Sequence, residues 1–435
     1  MLRKLAMISL AAAALLFVFL ALEASRPASE RTPVRQSDLV RWAAQHARPL
    51  LSTDPLSPLD DLSSIRFTTP STRVIAMGEA THGTREFFQM KHRILRYAVE
   101  HEGFRIFGIE ASFVAAERVN RYVLTGTGDP AEAVKGLALW PWMTEEVLAL
   151  TEWMRAWNAA HPAAPVVFYG FDCQPSSLPA RTLSEYLARV EPDASQRFRD
   201  ALSSLSRDWS AIELSNAELS DMRRDLDVLS ALFEAKRERW TAVAGEPDWY
   251  LAKRCVRVIE QSAELRRQAT IDDLSGRRGA SREYGARRDR FMAENVEWIL
   301  GRASGKAVLW AHNEHVARRP LQMGSHLAAL LGEDYVVVGF AFGEGRFRAR
   351  RDHGLPVSEI SVSSRGAGDF DHSLSTLALP LFALDLRHAP STLNRPMTLR
   401  EFGAVYRRWM ESNRVFEDFD LLIFVRETTP SRPLR

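Results

Sequence analysis

Apolar residues come in two recurring patterns along this chain. Short continuous runs, rich in β-branched and aromatic residues, occupy positions 73–77, 105–109, 166–171, 307–311, 335–342, 381–386 and 421–425. Runs of this length without polar alternation predict strands buried on both faces. Between them, apolar positions repeat every three or four residues. From Arg85 to Ala98, one helical face carries Phe87, Met90, Ile94 and Ala98. Asp129-Pro130 reads as an N-cap followed by proline at the first helical position, and Thr144 as the cap of a helix bearing Val147, Leu148, Leu150, Trp153, Met154 and Trp157. Strands alternating with helices predict an α/β fold: a largely parallel central sheet flanked by helices.

The alternation stops between residues 177 and 304, where Leu, Ala, Glu and Arg recur at helical spacing and a polar break lies near residues 272–285. Strand-like runs flank this stretch, so it reads as a helical insertion between two strands. The expected division is therefore residues 34–176 and 305–435 as two parts of one α/β core, with residues 177–304 as a helical subdomain walling a cleft. Residues 1–33 stand apart. Arg3 and Lys4 precede an apolar run over residues 5–22, broken only by Ser9, which predicts a signal peptide or an N-terminal membrane anchor followed by a linker. The expected location is exported: periplasmic, extracellular or held at the membrane by that run.

The 435 residues are 46% apolar and 26% charged, with a formal net charge of +2. That is enough apolar material for a substantial core, and too little basic excess for a nucleic-acid partner. The two cysteines, Cys173 and Cys255, read as separate buried thiols.

Four strand-like runs end in ionisable residues: Glu79 and His82 after the first, Glu110 after the second, Asp172 after the third, His312 and His315 after the fourth. Carboxyl ends of parallel strands share one rim, where ligands bind. That geometry gathers His82, His312 and His315 from distant positions. Gly78 and Gly83 flank a tight strand-to-helix turn that presents His82 as a candidate general base, with Glu79 or Glu110 holding its second nitrogen. Arg85, in the first helical turn, suits a developing oxyanion or a carboxylate product. A plainer reading of His82 is a histidine that only bonds its own turn; of Arg85, a surface cation; of Glu110, a helix cap; of Asp172, a loop anchor. His92, His101, His326 and His353 have no such placement. There is no Gly-x-Ser-x-Gly elbow, no His-Glu-x-x-His, no phosphate loop and no dinucleotide fingerprint, and no cofactor or bound metal is expected.

These motifs resemble the erythromycin esterase family. The resemblance rests on Gly78-Glu79-Ala80-Thr81-His82-Gly83 with Arg85-Glu86-Phe87-Phe88, on Gly108-Ile109-Glu110-Ala111, and on Trp140-Pro141-Trp142 leading to Glu146 and Trp153. Gly170-Phe171-Asp172, Arg288-Asp289 with Met292-Ala293 and Asn295, and Trp310-Ala311-His312-Asn313 with His315-Val316-Ala317 continue it, spanning roughly residues 39–426. The resemblance implies hydrolysis of a carboxylic ester, such as a macrolide lactone, by water activated at His82. Glu79, Glu110, His312 and His315 would line the cleft, and Asp172, Trp140 and Trp142 would contact the small-molecule substrate. The export segment points toward an extracytoplasmic ester. The same three histidines and two carboxylates also suit a divalent-metal-dependent hydrolase or peptidase, and haem- or iron-binding surface proteins have similar folds. On the sequence, the rim sets the chemistry and the helical insertion sets substrate size.

Overall fold

The computed structural model describes residues 36–174, 177–205, 216–274, 282–303, 305–352, 354–364, 369–406 and 410–435. The strands are β1 (Arg48–Pro49), β2 (Val74–Met77), β3 (Phe104–Ser112), β4 (Val167–Asp172), β5 (Lys306–Trp310), β6 (Tyr335–Arg350), β7 (Val357–Val362), β8 (Leu381–Asp385), β9 (Met397–Arg400), β10 (Met410–Asn413) and β11 (Leu421–Thr428). All seven apolar runs are strands. The main sheet has the order β1-β8-β11-β6-β2-β5-β3-β4, with β7 paired to β6, and β9 and β10 form a separate hairpin. Six neighbours, β11 through β4, run parallel. β8 pairs antiparallel with β11, and β7 antiparallel with the distal half of β6.

The continuous runs have a direct cause. Successive residues of a strand point to opposite faces, and here both faces are covered. Ile75, Met77, Val308 and Trp310 pack on one side with Phe87, Phe88, Met90 and Ile94 of the Arg85–His101 helix. Val74, Ala76, Ala307 and Leu309 pack on the other with residues of the Ser177–Val190, Glu246–Leu274 and Arg282–Arg302 helices. Asp129 and Thr144 cap their helices by accepting from the backbone N–H of Glu132 and Val147.

Between β4 and β5 every described element is a helix. These helices share the second core and dock on the end of β4 through polar groups. Asn295 Nδ2 donates to the Phe171 carbonyl at 2.8 Å, and Ser262 donates to the carbonyl of Cys173. Cys173 and Cys255 are buried and unpaired. Among the described residues no helix is long and apolar enough to cross a membrane. The apolar run over residues 5–22 lies outside the described residues, as do His353 and residues 275–281 of the polar break.

β6 extends eight residues beyond the apolar run that predicts it. Past Phe342 its burial alternates, with Phe347 and Ala349 inside and Glu344 and Arg346 exposed, because β7 covers one edge and solvent one face. Where β2 ends, Asn313 takes over as β6's partner. Its Nδ2 donates to the Phe340 carbonyl at 2.7 Å, and its Oδ1 accepts from the Phe340 N–H at 3.0 Å. Gly78 makes room: a Cβ there would sit 2.1 Å from Asn313 Oδ1. Asn313→Ala strands a buried donor and a buried acceptor. It is expected to destabilise the protein by about 3 kcal/mol, seen as a lower urea midpoint. An unchanged midpoint would show that the bridge does not hold the rim to β6.

Candidate active site

The carboxyl ends of β2, β3, β4 and β5 bring Glu79, His82, Glu110, Asp172, His312 and His315 to one rim, and all but His315 are almost fully buried. His82 lies in the turn between β2 and the Arg85–His101 helix. Its Nδ1 is 2.6 Å from Glu79 Oε1. Glu79 Oε2 accepts from Lys91 Nζ at 2.6 Å and from Trp310 Nε1 at 2.8 Å. A carboxylate held by two other donors is the acceptor toward His82. Nδ1 of His82 therefore carries a proton, and Nε2 presents a lone pair. Trp142 packs edge-on to the His82 ring with centroids 5.8 Å apart, and its Nε1 donates to the Glu110 carbonyl at 2.7 Å.

Lys91 escapes the sequence reading because it neighbours the apolar stripe of an amphipathic helix. That helix is in fact buried around most of its circumference, and Lys91, His92 and Arg93 are all inside. Burial pushes the Lys91 ammonium down to about 8 against the pull of Glu79. His92 is a core histidine beside Trp153, held neutral by burial.

The second half of the rim depends on the helical insertion. Arg288, on the Arg282–Arg302 helix, donates through NH2 to Glu110 Oε1 at 2.7 Å and to Asp172 Oδ2 at 2.8 Å. Asp289 Oδ1 lies 2.7 Å from His315 Nδ1. The insertion thus contributes charged side chains to the rim and is more than a wall. Arg288-Asp289 stands among the sequence motifs, but nothing in its spacing tells which carboxylates it reaches. Asp172, fully buried, is occupied by Arg288 and by the backbone N–H of Gln174.

His312 and His315, three residues apart, have opposite electrostatics. His312 caps the Asn313–Val316 turn, with Nδ1 accepting from the Glu314 N–H at 3.3 Å. Its Nε2 is buried with no hydrogen-bond partner among the described residues, and its ring lies 5.0 Å from that of His82. Burial, then the neighbouring imidazoles of His82 and His315, hold His312 well below the ordinary histidine range. It is neutral, with the proton on Nε2. For His315 burial acts in the same direction but is outweighed by Asp289 and Glu110, so it is held well above that range. Arg288 NH1 is 3.2 Å from His315 Nε2. With both groups charged, the two share Glu110 rather than bond to each other. Burial would raise Glu110, yet His315 and Arg288 keep it well below the carboxylate range.

Arg85 points elsewhere. Its Nε is 3.7 Å from Glu146 Oε1, and among the described residues no hydrogen bond or ion pair joins it to His82, His312 or His315. Trp140 is half-buried, under Arg348. Among the described residues no group of three or more His, Cys, Asp or Glu is placed to hold a metal ion.

A family model described as Erythromycin esterase matches residues 99–428. Erythromycin esterase type II of Escherichia coli is 24% identical over 400 residues, 84% of this chain and 93% of that protein. A Bacillus cereus protein of known crystal structure superposes with a TM-score of 0.78 at 24% identity, covering 93% of this chain and 100% of the other. A mutant erythromycin esterase in its open conformation superposes with a TM-score of 0.65 at 16% identity, covering 87% and 96%.

The His315 clamp has a consequence for stability. A group whose folded pKa is raised stabilises fully below its unfolded value, about 6.5, and loses that contribution as pH climbs toward the folded value. The destabilisation caused by His315→Gln is therefore expected to be largest near pH 6 and to shrink by up to about 1.4 kcal/mol per unit above it. Urea midpoints of both proteins at three pH values from 6 to 9 measure this. A pH-independent difference would mean that His315 is neutral in the fold.

Proposed function

The chain belongs to the erythromycin esterase family, and we propose that it hydrolyses a carboxylic ester by direct attack of water activated at His82. The observation that carries the reading is the pairing of two buried neighbouring imidazoles in complementary roles. His82 offers a lone pair at Nε2 because its Nδ1–H donates to Glu79. His312 offers an unpartnered N–H at Nε2 because the Glu314 N–H takes its Nδ1 lone pair.

In this reading a water between His82 and the ester carbonyl gives a proton to Nε2 as its oxygen bonds the carbonyl carbon. The imidazolium is stabilised by Glu79, which Lys91 and Trp310 hold in place. The oxyanion receives the His312 Nε2 hydrogen bond, a preorganised donor that costs no reorganisation. When the tetrahedral intermediate collapses, the C–O bond to the alcohol breaks and the alcohol takes the proton from His82. Ester and water become acid and alcohol, and the base is restored.

The E. coli relative's name makes a macrocyclic lactone one substrate to test. An export segment at residues 5–22 favours an ester met outside the cytoplasm. The metal-dependent alternative receives less support, since most of the first candidate ligands already serve each other: Glu79 with Lys91, Glu110 with Arg288, His315 with Asp289.

A panel of macrocyclic lactones and simple esters, followed by mass spectrometry for a product heavier by one water, tests the reaction class. His82→Ala is expected to lower kcat by at least about a hundredfold with the fold intact. His312→Ala is expected to lower kcat by about a hundredfold with little change in KM, as for one oxyanion donor. Activity is expected to survive dialysis against a chelator. A folded His82→Ala enzyme with near-normal turnover, or activity lost to the chelator and restored by zinc, would overturn the mechanism.

A further inference from the structure

Most of the partly or fully buried arginines of this protein meet a carboxylate or a carbonyl at hydrogen-bond distance. Arg93 holds Asp61, Arg319 holds Glu401 and Asp418, and Arg288 holds Glu110 and Asp172. Arg85 and Arg348 do not. Neither guanidinium donates a hydrogen bond to any described residue, and Arg85 Nε and Arg348 NH1 are buried without partners. Arg85 reaches only Glu146, at 3.7 Å. Arg348 lies with its guanidinium carbon 5.6 Å from the centre of the Trp140 ring.

Both arginines sit beside the turn that carries His82. Arg85 is three residues beyond the histidine. The Arg348 N–H donates to the Gly83 carbonyl at 3.1 Å, an approach that requires glycine, since a Cβ at Gly83 would meet the Arg348 carbonyl at 2.0 Å. Trp140 is two residues from Trp142, whose ring abuts His82. The local charge is unbalanced. Glu146 acts on both arginines, and its carboxylate also accepts from the Arg432 N–H at 3.1 and 3.3 Å. Burial raises Glu146 above the ordinary carboxylate range, which weakens it as a counter-ion. Arg348 is shifted the other way: burial lowers it, and Glu146 and Glu359 only partly oppose this. Two half-buried guanidinium groups that donate to no described residue can accept a ligand that supplies the missing charge.

We propose that Arg85 and Arg348, the latter against the Trp140 ring, form an anion subsite beside the turn that carries His82, and that this subsite binds a carboxylate carried by the substrate away from its scissile ester. With Glu359 already paired to Arg346 at 2.9 Å, two guanidinium groups against Glu146 leave a charge of one, which a carboxylate balances and a phosphate dianion overshoots. Planar guanidinium forks match a carboxylate edge to edge, and Trp140 gives the adjoining carbon chain an apolar surface. The substrate class is then an ester of an acid or alcohol bearing a second, free carboxyl group. This assignment of substrate rests on the hydrolase reading; the subsite itself does not.

The two are separated by measuring binding and turnover independently. Calorimetry on the full chain compares hexanoate with hexanamide, which share a carbon chain and differ in charge. Hexanoate is expected to bind at least about tenfold tighter, with the advantage shrinking as salt rises. Arg348→Gln and Arg85→Gln are each expected to abolish most of that advantage, and Arg348→Lys to keep part of it. Because its charge is uncompensated, Arg348→Gln is also expected to leave Tm unchanged or raise it. In the kinetic arm, the ratio of kcat/KM for p-nitrophenyl hydrogen adipate over p-nitrophenyl hexanoate is expected to exceed about ten and to fall toward one in Arg348→Gln. Equal binding of hexanoate and hexanamide by the unmodified protein, or an undiminished advantage in both glutamine variants, would overturn the subsite. A large loss of Tm in Arg348→Gln would also count against it, by showing that the charge is already satisfied within the fold. Charge-selective binding without hydrolysis of either ester would leave the subsite standing and remove the hydrolase reading.

Discussion

The rim of this sheet exists because its buried charges compensate one another. Glu79, Glu110, Asp172 and Asp289 are all buried carboxylates, and each would be costly there alone. Lys91 answers Glu79, Arg288 joins Glu110 to Asp172, and His315 sits between Glu110 and Asp289. Counted formally, four anions face three cations. Since Lys91 balances Glu79, the remaining negative charge is shared by Glu110, Asp172 and Asp289 around Arg288 and His315. The same compensation draws the architecture together, because its members come from the strand ends, the helix after β2 and the last helix of the insertion.

The turn carrying His82 is fixed from a second side. Residues 429–435, which follow β11, cross it and the Trp142 loop in succession. The Thr429 N–H donates to Glu86 and the Thr429 carbonyl accepts from the Arg85 N–H; the Ser431 N–H donates to the Gly83 carbonyl. Further on, the Glu145 N–H donates to the Arg432 carbonyl and the Leu434 N–H to the Met143 carbonyl. A single strand of chain therefore spaces the base against the aromatic loop that covers it. Local sequence around His82 specifies the turn, but its distance from Trp142 depends on residues far away in the chain.

This division explains what could be read from the sequence. Strands buried on both faces declare themselves, because every position must be apolar whichever side it faces, as in Val74–Met77 and in residues 307–310. Parallel strands then put their carboxyl ends together, so the meeting of His82 with His312 follows from strand order without knowledge of contacts. The distal half of β6 and the whole of β7 alternate or are polar, and they give no such signal. Pairings between charges are harder still. Lys91 beside an apolar stripe and Arg288 in an arginine-rich helix look like solvated cations, and only the folded chain shows that each faces a buried carboxylate. Arg85 illustrates the converse. Its position predicts a place at the histidines, while the structure turns its side chain toward Glu146.

The opposed states of His312 and His315 show how two identical side chains on one short turn take different parts. Both are removed from water, and burial alone would leave both neutral. The difference is set by what the neighbouring elements supply. His315 meets Asp289 and Glu110, so charge is stabilised there and the ring becomes a fixed link between the insertion and β3. His312 meets the rings of His82 and His315 instead, so a proton on both of its nitrogens is disfavoured. A neutral ring whose Nδ1 is already an acceptor must present a hydrogen at Nε2. Because no described residue takes that hydrogen, it is available to whatever oxygen enters beside His82. The insertion helix that charges His315 thereby also helps keep His312 neutral, since the imidazolium it creates is one of the repulsions acting on its neighbour.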